Sequence, residues 1–347
     1  MTCKNIIIKK MSLLTFALFL FAPLSFVSAQ IIETKPKVIV APVKEKIKIK
    51  QKGKIVEVED DSTAEKSITV DPRVNISLCV SEGKLKVNGW ERNEIRALVG
   101  NGTQIGFRVQ EKGAQSKSPI LVRALGFDPT KENETGLDEC LAGEEIELDV
   151  PYGAVVIVKG SESETTIDSV RKATVSIKGG DIFLNNITQA IQATTYQGDI
   201  MVTNSSGAMT LTCTTGNIVA FDVSTSEIGD VFKAKTSSGA VTLQKVGHRQ
   251  TEASSNSGSI RFNGDFQSGG QYNFSTQNGT ILLSIPEKSS FKFNASYGFG
   301  IFNPEFRLDK IEINTTSRAK TATGQAGSGD SALNLKTVSG AIRIRKQ

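Results

Sequence analysis

A five-residue unit recurs along the C-terminal half of this chain and constrains its fold more than any other feature. The unit is a glycine, a small or polar residue, an aliphatic residue, any residue and a further apolar residue. Residues 197–220, QGDIMVTNSSGAMTLTCTTGNIVA, contain three copies. Alternating apolar and polar residues have the period of a β-strand with one buried face, and a preceding glycine allows a turn with positive φ. Each unit therefore predicts a turn followed by a strand whose alternate side chains point inward.

The spacing of the glycines predicts how the units are arranged. Gly198, Gly207 and Gly216 are nine residues apart, so two strands and two turns complete a circuit of 18 residues. Strand repeats of about 20 residues are typical of a β-solenoid, in which each coil pairs with the next. We predict an all-β fold, a single-stack β-solenoid or β-helix with coils of about 20 residues. The predicted repeat-corner glycines are Gly180, Gly198, Gly207, Gly216, Gly239, Gly258, Gly279 and Gly340.

The energies favour stacking over independent folding of each circuit. One circuit buries about six apolar side chains, each worth roughly 1.5–3 kcal/mol. Ordering about 20 residues costs on the order of 20–40 kcal/mol of backbone entropy. A single circuit therefore cannot fold alone, and neighbouring coils must share a continuous core. The residues expected to line that core together are Ile182, Ile200, Ile218 and Val241.

Residues 1–29 have the pattern of an export signal. A lysine-bearing start precedes an apolar run broken by Pro23, and Val27-Ser28-Ala29 is a small-residue cleavage motif. A transmembrane anchor is the alternative, but the uninterrupted apolar run is short and ends in the cleavage motif. The expected location is therefore outside the cytoplasm, in a periplasm or at the cell surface or beyond it. No transmembrane segment is expected after signal cleavage.

The remaining chain divides into three predicted parts. Residues 30–65 form a flexible, basic, proline-containing leader, which is either a basic arm for an anionic surface or an edge strand whose lysines block aggregation. Residues 66–150 form an N-terminal β lobe that caps the first coil, because the ends of a solenoid need covering. Residues 151–347 form the β-solenoid repeat domain.

The charge of the chain argues against a nucleic-acid partner. The formal net charge of +5 falls to +2 when the three lysines of residues 1–29 are removed. Binding to nucleic acid needs a concentrated basic face, and none is evident. The apparent basicity is largely a feature of the export signal.

Several short motifs, in order along the chain, carry a resemblance to a known family. They are GKLKVNGW at 83–90, ELDVP at 147–151, the glycine units, LLSIP at 282–286 and VSGAIRI at 338–344. In this combination, residues 70–347 resemble the putative-adhesin family of bacterial exported β-strand-repeat proteins. The resemblance implies a cell-envelope β-solenoid of unassigned biochemical role. It provides no residue-level site.

Three cysteines follow the export signal. Cys213 shares a strand face with Met209 and Leu211, so we expect it to behave as a small buried hydrophobe. Cys79 and Cys140 both lie in the predicted N-terminal lobe, where an oxidising compartment would allow a disulfide between them. Two unpaired thiols are the alternative.

The residues that could carry chemistry are few. Asp181 and Asp199 follow corner glycines one 18-residue circuit apart, so stacked corners would bring their carboxylates within about 5 Å, as in a retaining glycosidase. In the competing interpretation, aspartate suits a corner because it accepts hydrogen bonds from nearby backbone amides. The single histidine, His248, lies in a predicted polar turn without a nucleophile motif. We predict no catalytic residue, no metal site and no cofactor.

The sequence therefore predicts a non-enzymatic, exported protein of the cell envelope with a structural or adhesive role. The outward positions of the repeats are mostly threonine, serine, asparagine and glutamine, which suit contact with a glycan or an envelope protein, or plain solvation. The alternative is a β-helix that binds or cleaves polysaccharide, with Asp181 and Asp199 as its acids.

Overall fold

The computed structural model describes residues 65–100, 102–111, 119–127, 140–227, 229–316 and 320–347. These residues form β-strands and no helix. In chain order the strands are β1 (Glu65–Thr69), β2 (Asn75–Trp90), β3 (Glu94–Gly100), β4 (Gln104–Glu111), β5 (Pro119–Phe127), β6 (Leu141–Pro151), β7 (Val155–Asp168), β8 (Lys172–Gly179), β9 (Ile182–Asn185), β10 (Ala190–Gln197), β11 (Ile200–Ser206), β12 (Ala208–Thr215), β13 (Ile218–Ser224), β14 (Val231–Ser238), β15 (Val241–Val246), β16 (Gln250–Ser257), β17 (Ile260–Asn263), β18 (Gln271–Asn278), β19 (Ile281–Ile285), β20 (Phe291–Ser296), β21 (Ile301–Pro304), β22 (Asp309–Thr315), β23 (Lys320–Ala326), β24 (Ser331–Ser339) and β25 (Ala341–Lys346).

Most strands pair in parallel within two arrays. The spatial order in the first array is β7, β8, β10, β12, β14, β16, β18, β24 and β20. The order in the second array is β7, β9, β11, β13, β15, β17, β19, β25 and β21. From β8 onward each coil contributes one strand to each array. The predicted all-β solenoid is confirmed.

The interior is built by columns of side chains that pair directly from coil to coil. In the second array, Ile182 pairs with Ile200, Ile200 with Ile218, and Ile218 with Val241. All four side chains are fully buried. The column continues through Ile260, Ile281 and Ile342. The predicted common interior is therefore confirmed. Each coil buries its apolar side chains against those of the neighbouring coils, which a single circuit could not do.

Glycines form a column at the corner between the two arrays because backbone from the next coil passes too close for a side chain. Gly216 has a φ of 144°, and a Cβ there would lie 2.1 Å from the carbonyl oxygen of Gly198. The same contact repeats from coil to coil. The stacked glycines are Gly180, Gly198, Gly216, Gly239, Gly258, Gly279 and Gly340.

Gly207 lies at the other corner of its coil, outside this column. Its amide donates a hydrogen bond to the carbonyl of Ser224, and a Cβ there would lie 1.6 Å from the carbonyl oxygen of Gln189. The nine-residue spacing of Gly198, Gly207 and Gly216 thus reflects alternate corners of one circuit, as two turns per coil require.

A column of buried hydroxyl groups accompanies the glycines. The side chain three residues before a corner glycine donates a hydrogen bond to the corner carbonyl of the preceding coil; Thr236 Oγ1, for example, lies 2.9 Å from the oxygen of Gly216. These bonds satisfy carbonyl groups that face the interior, where an unpaired polar atom would be costly. The donors are Thr195, Thr236, Ser255, Thr276 and Thr337.

The strands before residue 151 extend the same arrays. β2 and β7 are long enough to run through both arrays, and they pair with each other over nearly the whole length of β2. On the other side of β2, the first half pairs with β5 and the second half with β6. The antiparallel strands β1, β3 and β4 lie at this end. β6 crosses the predicted boundary at residue 150 without a break. The division into a 66–150 lobe and a 151–347 solenoid stays a prediction.

The C-terminal strands do not follow the order of the chain. β24 lies between β18 and β20, and β25 lies between β19 and β21. β20 and β21 therefore form the outermost coil although they precede β24 and β25 in sequence. β23 pairs antiparallel with β20, and β22 with β23. Residues 290–332, which contain none of the predicted corner glycines, include the strands at this end of the solenoid.

The predicted signal peptide at 1–29 and the predicted leader at 30–65 lie outside the described residues, except for Glu65 at the start of β1.

Candidate functional site

Asp181 and Asp199 lie at the same corner of adjacent coils, as their spacing predicts. Oδ1 of Asp181 accepts a hydrogen bond from the amide of Asp199 at 2.7 Å. Oδ1 of Asp199 accepts one from the amide of Asn217, also at 2.7 Å. The Oδ1 of Asn217 continues the series by accepting from the amide of Ala240 at 2.9 Å. The side chain of the residue after each of these corner glycines therefore forms a hydrogen bond with the backbone of the next coil.

This arrangement gives the two aspartates a structural use. One oxygen of each carboxylate is held by a backbone amide, and an asparagine performs the same task at position 217. A general acid or nucleophile must instead direct a carboxyl oxygen toward substrate. The role of Asp181 and Asp199 in hydrolysis stays a hypothesis, and replacement by asparagine tests it because the amide oxygen preserves the hydrogen bond.

Cys79 and Cys140 are joined in the structure as a disulfide between β2 and the residue before β6. The bridge connects positions 61 residues apart in sequence. Closing a loop of that length restricts the unfolded chain and is worth about 4 kcal/mol. The bonded state in the cell stays a prediction. Peptide mapping without reductant tests it, since separate Cys79 and Cys140 peptides under oxidising conditions would contradict the bridge.

Cys213 is buried, as its position on the strand predicts. Its thiol donates to the carbonyl of Gly216 and lies 3.1 Å from Oγ1 of Thr236. Burial raises the pKa of this thiol, while the hydrogen bond with Thr236 opposes the rise. A raised pKa leaves little thiolate, so Cys213 behaves as a packing residue. Within the described ranges, no cluster of histidine, cysteine and acidic side chains could hold a metal ion.

His248 occupies the turn between β15 and β16, but its ring is fully buried. The sequence predicted only a polar turn and missed this burial. Nε2 donates a hydrogen bond to the carbonyl of Gly207 at 2.7 Å, and the ring centroid lies 5.7 Å from that of Phe232. Nδ1 has no hydrogen-bond partner among the described residues. Burial lowers the pKa of His248, against smaller opposing effects of the Gly207 hydrogen bond and the charge of Asp230.

The lowered pKa predicts that the protein loses stability in mild acid. The unfolded chain takes up a proton at His248 near the ordinary pKa of about 6.5, whereas the folded chain does so only at lower pH. Stability is therefore fully present above pH 6.5 and falls as the pH drops toward the folded-state pKa, by up to about 1.4 kcal/mol per pH unit.

Urea unfolding between pH 5 and 8 measures this dependence. The chain has a single histidine, so replacing it isolates the effect. His248→Gln should flatten the slope between pH 5.5 and 6.5, which lies above the range where ordinary carboxyl groups titrate. An unchanged slope in His248→Gln would show that another group is responsible.

The outer face of the second array is a second candidate site. Its outward side chains form two columns, which run from coil to coil as the register dictates. The first column is Phe183, Met201, Val219, Thr242, Arg261, Leu282, Arg343 and Asn303. The second column is Asn185, Thr203, Phe221, Gln244, Asn263, Ser284 and Arg345.

An open groove crosses this face over β15, β17 and β19. Its outward lining residues are Thr242, Gln244, Arg261, Asn263, Leu282 and Ser284. Hydroxyl and amide groups therefore surround one guanidinium and one aliphatic side chain. These residues do not stand out in the sequence, although the position after each repeat aliphatic residue identifies the first column once the coils are aligned.

The solenoid part of the chain matches the model of a known family. The family model described as Toastrack DUF4097 matches residues 144–345. The chain belongs to the Toastrack family. The Toastrack match includes β7 to β24 and most of β25, so it covers the coils from β7 onward. It confirms the resemblance to an uncharacterised, adhesin-like β-repeat family.

Other comparisons add little to the Toastrack match. A crystal structure of a putative cell adhesion protein from Clostridium sporogenes is similar at 12% identity, over 82% of this chain and 99% of that chain, with a TM-score of 0.24. So low a TM-score carries no argument about function. No curated protein matches the chain. The part of the Toastrack chain that the structure describes contains no helix of the length and apolar character needed to cross a membrane.

Proposed function

We propose that this Toastrack protein is an exported, non-enzymatic protein of the cell envelope with a structural or adhesive role. The observation that carries the proposal is the pair of outward columns on each array, which continue across successive coils without a break in register. A surface of this kind presents exposed side chains at a regular spacing along one direction. Such repetition suits attachment to an extended partner, either a glycan or an envelope protein.

Two further observations support a role in binding over one in catalysis. The carboxylates of Asp181 and Asp199 accept hydrogen bonds from backbone amides of the next coil. The ring of His248 is buried against Phe232 and the carbonyl of Gly207. The chemically versatile side chains at these positions therefore serve the packing of the coils.

Cell fractionation combined with attachment assays tests this proposal. Cells producing the tagged chain should hold it in the periplasmic, surface or extracellular fraction, whereas a chain lacking residues 2–29 should remain in the cytoplasm. Beads coated with the exported protein should attach to envelope material from the same cells more strongly than beads coated with the unfolded protein. Retention of the full chain in the cytoplasm, or equal attachment by both kinds of bead, would contradict the proposal.

The alternative function is cleavage of a polysaccharide by Asp181 and Asp199. It requires turnover on at least one member of a polysaccharide panel, with loss of that turnover in Asp181→Asn or Asp199→Asn. Because Asn217 already performs the structural task with an amide, these variants should remain folded. Absence of turnover on every substrate would remove the alternative.

A further inference from the structure

The outer face of the second array carries three arginines close together near the C-terminal end of the solenoid. Arg261 and Arg343 pair with Leu282 from either side, so two strand spacings, about 10 Å, separate them. Arg343 and Arg345 are alternate residues of β25 and therefore point to the same side. All three residues are exposed. The sequence gives no hint of this grouping, because β25 follows β19 in space but not in the chain.

The charges around these arginines are unbalanced. No acidic residue occupies the first outward column from β9 to β21, or the second from β9 to β25. Arg345 lies 3.8 Å from Glu305, an exposed contact worth little in water. Neither Arg261 nor Arg343 forms an ion pair with a described residue. The acids at the margin include Asp222, Asp265, Glu287 and Glu305, and Lys245 and Lys346 accompany them there.

The groups around the arginines fit a polyhydroxylated ligand. Thr242, Gln244, Asn263 and Ser284 offer hydroxyl and amide groups along the groove, and Leu282 offers an apolar surface between Arg261 and Arg343. Guanidinium groups bind carboxylate, sulfate or phosphate through two parallel hydrogen bonds. A sugar ring with an acidic substituent presents an anion, hydroxyl groups and an apolar face together.

We propose that this arginine face, formed by Arg261, Arg343 and Arg345 with the adjoining groove, binds an acidic polysaccharide lying across the strands. The inference rests on the proposed adhesive function and names its partner by chemical class. Arg261 and Arg343 lie two coils apart, so acidic groups about 10 Å apart along one polymer contact both arginines. Each contact is weak and exposed, so affinity comes from several contacts on one polymer.

Two other anionic polymers fit the face less well. An extended acidic peptide is normally recognised at a sheet edge, where its backbone adds a strand, whereas the backbone under the groove is already paired on both sides. Nucleic acid presents phosphates densely and is held by about six to ten basic contacts. Three arginines with acids at the margin provide too few.

Binding of alginate, a polymer of uronic acids, to the full chain tests the inference at low salt. The variant Arg261→Gln/Arg343→Gln should bind alginate at least about tenfold more weakly, since two charge-assisted contacts are lost. The matched control is Lys235→Gln/Lys336→Gln, which removes the same charge from the outward face of the first array. The control should bind within about twofold of the unmodified protein, because it leaves the arginine face intact. Both variants replace exposed residues and should unfold at the same urea concentration as the parent.

Three results would overturn the inference. Equal weakening in both variants would indicate attraction by net charge alone. Tighter binding of poly-glutamate or double-stranded DNA than of alginate, with the same dependence on Arg261 and Arg343, would assign the face to another class of polymer. No binding of alginate by the full chain would reject the acidic polysaccharide, while export and bead attachment would still decide the proposed function separately.

Discussion

Replacing Gly216 with alanine is expected to destabilise the folded protein by at least about 3 kcal/mol. Two effects add at this position. A φ of 144° is unfavourable for any residue with a Cβ, which costs about 1–2 kcal/mol. The new methyl group would also lie 2.1 Å from the carbonyl oxygen of Gly198, so two coils must separate at the corner. Urea unfolding of the purified variant measures the loss.

Two other glycines separate these effects. Gly269 has a φ of 69° and nothing within 4 Å of the place that a methyl group would occupy, so Gly269→Ala should cost only the backbone strain of about 1 kcal/mol. Gly247 has no positive φ, and its nearest contact would be 3.6 Å away, so Gly247→Ala should change stability by less than about 0.5 kcal/mol. If Gly216→Ala unfolds at the same urea concentration as Gly247→Ala, the close contact at the corner is not a feature of the protein in solution.

Removing β24 and β25 is expected to abolish cooperative folding of the C-terminal coils. A chain that stops at residue 330 loses Leu333, Leu335, Ile342 and Ile344, which are buried and worth about 1.5–3 kcal/mol each. The sum is comparable with the whole stability of a typical domain, about 5–15 kcal/mol. The truncation also removes the partner of β20 and β21 on one side and exposes the edges of β18 and β19.

Complementation by a peptide distinguishes a missing coil from a general loss of solubility. A synthetic peptide of residues 331–347 should restore hydrogen-exchange protection to β18–β21 when added to the truncated chain. The same peptide carrying Leu333→Asp and Leu335→Asp should not, because these side chains point into the core. A truncated chain that keeps full protection without any peptide would contradict the strand order described above.

The interior and the corners of the solenoid could be predicted from sequence because they depend on local spacing. Alternation identified the inward residues of β9, β11, β13 and β15, and glycine identified the turns. The hydroxyl column was not predicted because its positions are occupied by threonine, serine or cysteine, as at Thr236, Ser255 and Cys213. Their shared property is a donor aimed at the corner carbonyl, which becomes visible only once the coils are in register.

The candidate sites were harder to predict because they depend on which coils are neighbours. Arg261 and Arg343 lie on the same face because β25 pairs with β19. The glycine spacing contains a long interval between Gly279 and Gly340, but it does not show where the chain returns to the stack. Burial of His248 likewise depends on its contact with Gly207, which is 41 residues away in the chain. Local patterns do not encode such contacts.

The position of β24 and β25 between earlier strands also affects how the protein is made. A nascent chain emerges from its N-terminus, so β20 to β23 exist before the two strands that hold them against the rest of the stack. The strand order therefore requires β24 and β25 to lie between strands that were made before them, whereas each coil from β8 to β19 lies beside the coil that precedes it in the chain. Until β24 and β25 pair with these strands, hydrophobic side chains around their position remain accessible to chaperones and proteases, which gives the cell a means to recognise unfinished molecules.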